Sequence, residues 1–166
     1  MSITFREAVA EVELGLVSGD QLPDIATAGL LEGYQSTALA ALAGQFGEHC
    51  DPVEVEELWR TALQELNFPL EGRKQAAKIL VRAYARLVAD GELPPQLGAS
   101  KIAGVHRIAS YPGCDTRAPG DCIGAASILR LFYTQDLRGY LKRTDHSRID
   151  AQILDECRRL ADLPLG

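Results

Sequence analysis

Residues 72–108 read GRKQAAKILVRAYARLVADGELPPQLGASKIAGVHRI, and this stretch decides the fold class. Apolar residues recur at intervals of three and four over residues 73–88, a spacing typical of an amphipathic helix. Gly91 follows at a position where a helix can end, and Pro94-Pro95 can open another one. We therefore predict two consecutive helices joined by a turn.

A basic stripe runs along the first of these helices. Its members recur every fourth residue, so they share one side of the helix: Lys74, Lys78, Arg82 and Arg86. Residues 52–66 come just before and predict a glutamate-bearing helix, with Asp51 as its cap, Pro52 in its first position and Glu54 suited to a capping box. The short connection favours an antiparallel hairpin in which the stripe faces acidic residues of the same protein.

The remaining segments also have helical periodicity. Residues 3–17 predict one helix, and residues 24–46 predict a second stretch with a break near Gly33. Residues 123–141 predict another helix, and Ser147 with Asp150 favours the start of a last one. No segment has the alternation typical of a strand.

These patterns predict an all-α protein. We expect residues 1–166 to form a single domain, a bundle of six or seven helices around the central antiparallel hairpin. In this bundle residues 1–50 supply acidic N-terminal helices. Residues 51–166 supply the hairpin, a Gly/Pro loop and the C-terminal helices that pack on it.

The charges are divided unevenly along the chain. In total 23 acidic and 17 basic residues give a net charge of −6, which argues against nucleic acid or an anionic membrane as partner. Residues 1–70 hold 12 acids and 2 bases, whereas residues 71–166 hold 11 acids and 15 bases. Either the two halves pack on each other through complementary surfaces, or each faces a different partner.

The N-terminal sequence MSITFREAVAEVELGLVSGD has no apolar run of the kind that an export signal requires, and no stretch has the length and apolarity of a membrane span. We therefore expect a cytoplasmic, bacterial-type protein. In that compartment its four cysteines would be reduced.

Sequence motifs give little support to an enzyme. The phosphate loop, the dinucleotide fingerprint, the nucleophile elbow and the zincin motif are all absent from the sequence. One alternative remains, a small hydrolase-like enzyme in which His106 is oriented by Asp115 or Asp121 for proton transfer. We expect no catalytic activity and no cofactor.

A metal site is a further alternative, because His49, Cys50, Cys114 and Cys122 could form a Cys3His zinc site. The spacing argues against it, since His49 and Cys50 are adjacent and seven residues separate the two later cysteines. A disulfide between Cys114 and Cys122 is conceivable but does not suit the compartment. Cys157 lies on an apolar helix face, and we expect it to be a small buried side chain.

Residues 73–109 can also be read as a helix-turn-helix DNA-binding regulator. The second helix would offer four side chains to the groove: Gln96, Ser100, Lys101 and Arg107. The acidic total and the position of the basic stripe on the first helix argue against this alternative.

Residues 110–121 form the longest stretch rich in Gly and Pro, and such loops often carry function. Within it, Tyr111-Pro112, an acid-containing loop and then Pro119-Gly120 before a helix are similar to the toxin-binding loop of small helical bacteriocin immunity proteins. The resemblance is confined to this loop, and we carry no residue role over from it.

Our leading hypothesis is a non-catalytic protein-binding module, either toxin-neutralising and immunity-like or regulatory. We expect its recognition surface to include Tyr111, Asp115 and Arg117. The partner should be another protein, and a homodimer through the small residues 36–44 is an alternative.

Overall fold

A computed structural model describes residues 3–45, 51–109, 123–136 and 143–162. In this part of the chain every regular element is helical, comprising eight α-helices and one 3-10 turn, which confirms the predicted all-α class. The helices fall into two compact units, residues 2–72 and residues 73–166. We call them the N-terminal unit and the C-terminal unit.

The finer predictions about architecture are not settled by these helices. The described ranges contain more helices than the six or seven predicted, in part because residues 22–43 form two helices. The predicted hairpin would join the last helix of the N-terminal unit to the first helix of the C-terminal unit. The hairpin and the single domain stay predictions.

The N-terminal unit contains four α-helices. They are α1 (Phe5–Glu13), α2 (Leu22–Leu31), α3 (Thr37–Ala43) and α4 (Pro52–Glu65), and a 3-10 turn at Gly19–Gln21 precedes α2. Gly33, with φ of +96°, lies between α2 and α3 and confirms the predicted break. α3 packs against both α2 and α4.

Side-chain caps define the helix starts in this unit. Thr4 and Glu7 form a capping box at α1, in which the Thr4 N–H donates to Glu7 Oε2 at 2.7 Å. Asp51 caps α4 as predicted, accepting from the Val53 N–H at 2.9 Å. Glu54 does not complete the predicted capping box there, and its Oε1 accepts from Gln45 Nε2 instead. The bonds from the Thr4 and Val53 N–H groups satisfy backbone donors that have no partner within the helix.

The prediction placed the end of α1 too late. Apolar periodicity continues to Leu16, but the helix ends at Glu13 because Gly15 adopts φ of +71°. The Gly15 N–H then donates to the Val12 carbonyl and the Leu16 N–H to the Glu11 carbonyl, which closes the helix with a left-handed cap.

Phe5 is the centre of the N-terminal core. Its side chain is fully buried, and its ring centroid lies 4.6 Å from that of Tyr34, 5.5 Å from Phe68 and 6.0 Å from Trp59. α2 approaches this ring so closely that a Cβ added to Gly29 would lie 2.6 Å from Phe5 Cδ2. The aromatic cluster therefore depends on glycine at position 29.

A second link joins α3 to the end of α4. Glu65 Oε2 accepts from the Ser36 hydroxyl at 2.6 Å and from the Ala38 N–H at 3.1 Å, while Ser36 Oγ accepts from the Leu39 N–H. The hydrogen bond from Ser36, and then that from Ala38, lower the pKa of the Glu65 carboxyl from its ordinary 4.5. One carboxylate thus holds the start of the neighbouring helix.

The C-terminal unit contains four further helices in its described part. They are α5 (Arg73–Ala89), α6 (Pro95–Ala109), α7 (Ala126–Asp136) and α8 (Arg143–Ala161). α5 packs against α6 and α8. α7 also packs against α6 and α8. Ile128 on α7 and Ile153 on α8 are both fully buried.

α5 is buried on more than the single face that its periodicity suggests, because α6 and α8 both cover it. α5 and α6 are antiparallel, since Arg73 Nη2 at the start of α5 donates to the Ile108 carbonyl at the end of α6. At the other end Gly91 turns the chain with φ of +76°. A Cβ added to Gly98 would overlap Val88 Cγ2, so glycine permits this close approach.

α8 begins one turn earlier than predicted. Ser147 lies inside the helix and is exposed, so it is not the cap. Serine costs only a few tenths of a kcal/mol in a helix interior, and the apolar face that follows is enough to hold it helical. That face is buried as predicted, by Ile149, Ile153, Cys157 and Leu160.

None of the helices in the described ranges has the length and apolarity required to cross a membrane.

We expect Gly29→Ala to lower the free energy of unfolding by about 1–3 kcal/mol, because the new methyl group would overlap the buried Phe5 ring. The cost of this overlap should outweigh the gain of about 1 kcal/mol that alanine brings in helix propensity. Urea unfolding monitored by circular dichroism measures the net change in the free energy of unfolding.

The matched control is Gly104→Ala on α6, where no heavy atom lies within 4 Å of the added Cβ. It should raise stability by about 0.5–1 kcal/mol. Equal shifts in the two variants would contradict the close contact between Gly29 and Phe5.

Glu65→Gln should destabilise the protein more at pH 7 than at pH 3. The folded pKa of Glu65 lies below 4.5, so the stability from its charged form is present above that value and is lost as the pH falls through the folded pKa. Urea unfolding at both pH values measures the difference. Glu57→Gln removes one charge from the same helix and serves as reference; an identical loss for Glu65→Gln at pH 7 and pH 3 would refute this role.

Candidate functional site

Of the three residues of the predicted proton-transfer site, the structure describes only His106. His106 lies in the last turn of α6 and is half-buried. Asp115 and Asp121, which would orient it, lie outside the described residues. The enzyme alternative therefore stays a prediction.

The predicted recognition and metal residues also lie outside the described ranges. They are Tyr111, Asp115 and Arg117 for the partner, and His49, Cys50, Cys114 and Cys122 for zinc. Among the residues that the structure does describe, no group of three or more His, Cys, Asp or Glu side chains could hold a metal ion.

The DNA-binding alternative assigns four α6 side chains to a groove, and two of them contact their own unit. Gln96 Nε2 donates to Asp150 Oδ2 on α8 at 3.2 Å, and Lys101 Nζ lies 5.0 Å from the centroid of the Tyr84 ring on α5. Ser100 and Arg107 are exposed. Gln96 and Lys101 thus each hold one contact within the C-terminal unit.

Cys157 is the one described cysteine, and it is fully buried on α8. Burial, with a smaller contribution from the charge of Glu156, raises the pKa of its thiol to about 12. Since the thiolate is the reactive form, this side chain is suited to packing and not to nucleophilic chemistry.

An apolar groove lies within the N-terminal unit, between α1, the 3-10 turn and α4. Its volume is about 410 Å³. It is lined by Val9, Val12, Glu13, Val17, Gly19, Leu22, Glu56, Trp59, Arg60, Leu63 and Leu70.

The floor and the edge of this groove differ in burial. Val9, Leu22, Trp59 and Leu63 form the floor, and each is at most 9% exposed. Leu70, by contrast, is 66% exposed at the edge. The groove thus has a buried apolar floor and, at its edge, a leucine that is largely exposed to solvent.

The charged side chains of the groove are mostly acidic. Glu13 is half-buried and Glu56 is exposed, while Arg60 is the single base among the lining residues. The N-terminal unit as a whole has 13 acids and 2 bases over residues 2–72, a balance of 2 − 13 = −11. Of these bases Arg6 forms an ion pair with Glu71.

A second concavity, of about 480 Å³, lies between α7 and α8. It is polar and holds both signs of charge, from Arg130, Asp155, Glu156 and Arg159. Arg159 Nε donates to Glu156 Oε2 at 2.8 Å, so part of its charge is satisfied along α8. Because positive and negative side chains lie side by side in this concavity, their potentials partly cancel. The concavity therefore does not favour a ligand of one charge.

The sequence did not predict the groove. Trp59 and Leu63 are spaced as residues of an apolar helix face, and they are buried. Periodicity cannot show that the space beside them is open. Leu70 carried the one available signal, because it is a large apolar residue directly after Pro69 in a connection where polar residues are usual.

No protein-family model, curated protein or solved structure matches this chain.

In the native protein at pH 8, Cys157 should react with iodoacetamide at least about 100-fold more slowly than in 6 M guanidinium chloride, because its burial and raised pKa both suppress the thiolate. Peptide mapping by mass spectrometry separates Cys157 from the other three cysteines. Similar rates in the two conditions would show that α8 does not bury this thiol.

Proposed function

We propose that this chain is a cytoplasmic, non-catalytic protein-binding module that acts as a toxin-neutralising or regulatory partner. The observation that carries the proposal is the division of charge between the two units. Residues 2–72 have a balance of −11, and residues 73–166, with 10 acids and 15 bases, have a balance of 15 − 10 = +5.

Charge of one sign concentrated on one unit raises the rate at which an oppositely charged partner meets that surface, and it excludes partners of the same sign. An anionic membrane or a nucleic acid would be repelled by the N-terminal unit. A protein with a basic surface would be attracted to the acidic N-terminal unit and not repelled by it, so we take another protein as the partner.

The proposal extends to the predicted architecture. We retain a single cooperative domain, a helical bundle with residues 52–66 and 73–88 as an antiparallel hairpin. Its support is the short connection at residues 67–72, because helix connections of about 2–8 residues are typical of bundles.

Native mass spectrometry of the protein purified from its own host tests the proposed function. We expect a complex of defined stoichiometry with a second protein, and we expect hydrogen exchange in one surface segment to slow in that complex. Recovery of the chain alone, with no protected segment in hydrogen exchange, would overturn the proposal.

Two double variants test the role of charge. Asp24→Asn with Glu57→Gln neutralises two exposed acids of the N-terminal unit, and Arg107→Gln with Arg148→Gln neutralises two exposed bases of the C-terminal unit. The first should reduce the association rate with the recovered partner about two- to fivefold at low salt, and the second should not reduce it. Equal effects would contradict binding through the acidic unit.

A further inference from the structure

We propose that the groove between α1, the 3-10 turn and α4 binds one amphipathic, positively charged helix of a partner protein. This inference rests on the proposed function, because it names the surface and the chemistry of the partner. It is supported by the shape of the groove, its apolar lining and its charge.

The size of the groove suits a row of side chains. Its volume of 410 Å³ lies at the lower end of the range of about 300–1,000 Å³ that is usual for binding pockets. A helix laid along such a groove inserts apolar residues at positions i, i+3 or i+4, and i+7. The groove itself is lined from two helices, α1 through Val9 and Val12 and α4 through Trp59 and Leu63.

The lining can supply binding energy. Leu70 is 66% exposed, so a partner that covers it would remove apolar surface from water. Trp59 lies at the floor with 8% of its surface exposed, so its own unit already covers most of the ring, and the apolar area that a partner gains comes mainly from Leu70.

The charge of the groove selects the flanks of the helix that enters it. Glu13 and Glu56 lie beside the apolar lining and outnumber Arg60, the one basic lining residue, in a unit with a balance of −11. Lysine or arginine on either side of the inserted apolar row would meet this negative potential, and glutamate would be repelled by it. The N-terminal unit of a second copy carries the same −11 and is therefore disfavoured as occupant.

A designed peptide provides the probe. It is a 14-residue helix with leucine at positions i, i+3, i+4 and i+7 and lysine elsewhere, without tryptophan; the comparison peptide replaces every lysine with glutamate. Trp59 is the only tryptophan of the chain, so its fluorescence reports on the groove floor. We expect saturable 1:1 binding of the lysine peptide and at least about tenfold weaker binding of the glutamate peptide.

Two exposed leucines give a matched test of the apolar contact. Leu70→Glu should weaken binding of the lysine peptide about tenfold or more, despite adding a favourable charge, because it removes an apolar contact at the groove. Leu31→Glu changes a leucine that is 85% exposed and is not part of the groove lining. It should leave affinity within about twofold.

Two adjacent glutamates give a matched test of the local charge. Glu56→Lys and Glu57→Lys alter the net charge by the same amount, and both positions are exposed on α4, but only Glu56 lines the groove. Glu56→Lys should weaken binding about three- to tenfold more than Glu57→Lys. Circular dichroism checks that each of the four variants keeps its helical content.

Three results would overturn the inference: equal affinity for the two peptides, equal loss in Leu70→Glu and Leu31→Glu, or equal loss in Glu56→Lys and Glu57→Lys. Light scattering of the chain alone gives a fourth, since a dimer that Leu70→Glu dissociates would mean that a second copy fills the groove.

The natural complex separates failure of this inference from failure of the proposed function. If the partner still binds Leu70→Glu and its hydrogen-exchange protection excludes residues 9–22 and 56–70, the protein-binding function stands and the groove is not its site. If the peptide tests succeed while the chain is recovered from its host without a partner, the groove chemistry stands and the function proposed above fails.

Discussion

The contact between the Phe5 ring and the backbone of Gly29 governs the N-terminal unit. Phe5 brings together residues from three parts of the unit, because its ring meets Tyr34, Trp59 and Phe68. The ring can occupy this position only while α2 lacks a side chain at Gly29. Protein interiors are close-packed, so a side chain at position 29 would have no room. The absence of one methyl group therefore determines how closely α1 and α2 approach each other.

The C-terminal unit solves a similar problem between α5 and α6. Gly98 lets the Val88 side chain approach the backbone of α6, and Leu93 in the turn is buried beside the same helices. α5 is then covered by α6 and α8 together, which leaves mainly its charged residues outside the core. In both units a glycine within a helix, rather than one in a turn, decides how closely two helices pack.

Local chemistry made much of the helical pattern predictable. Asp51 and Pro52 marked the start of α4, Gly33 marked a break, and Gly91 marked the turn before α6, because each has a conformational preference independent of distant residues. The predicted end of α1 was too late because apolar periodicity extends beyond Gly15. The predicted start of α8 was too late because Ser147 resembles an N-cap residue but is tolerated inside a helix. The groove could not be predicted, since apolar residues on α1 and α4 look the same whether a neighbour or solvent lies beside them.

The division of charge means that a partner meeting one unit responds mainly to the balance of that unit, −11 or +5, and less to the net charge of −6. A compact unit of about 70 residues has a radius of gyration of about 11 Å. In physiological salt, electrostatic potential decays over about 8 Å, so a molecule approaching one unit is screened from charges farther away. The isoelectric point near 5.1 is therefore a poor guide to behaviour on charged media, and the chain should be retained by cation and anion exchangers alike.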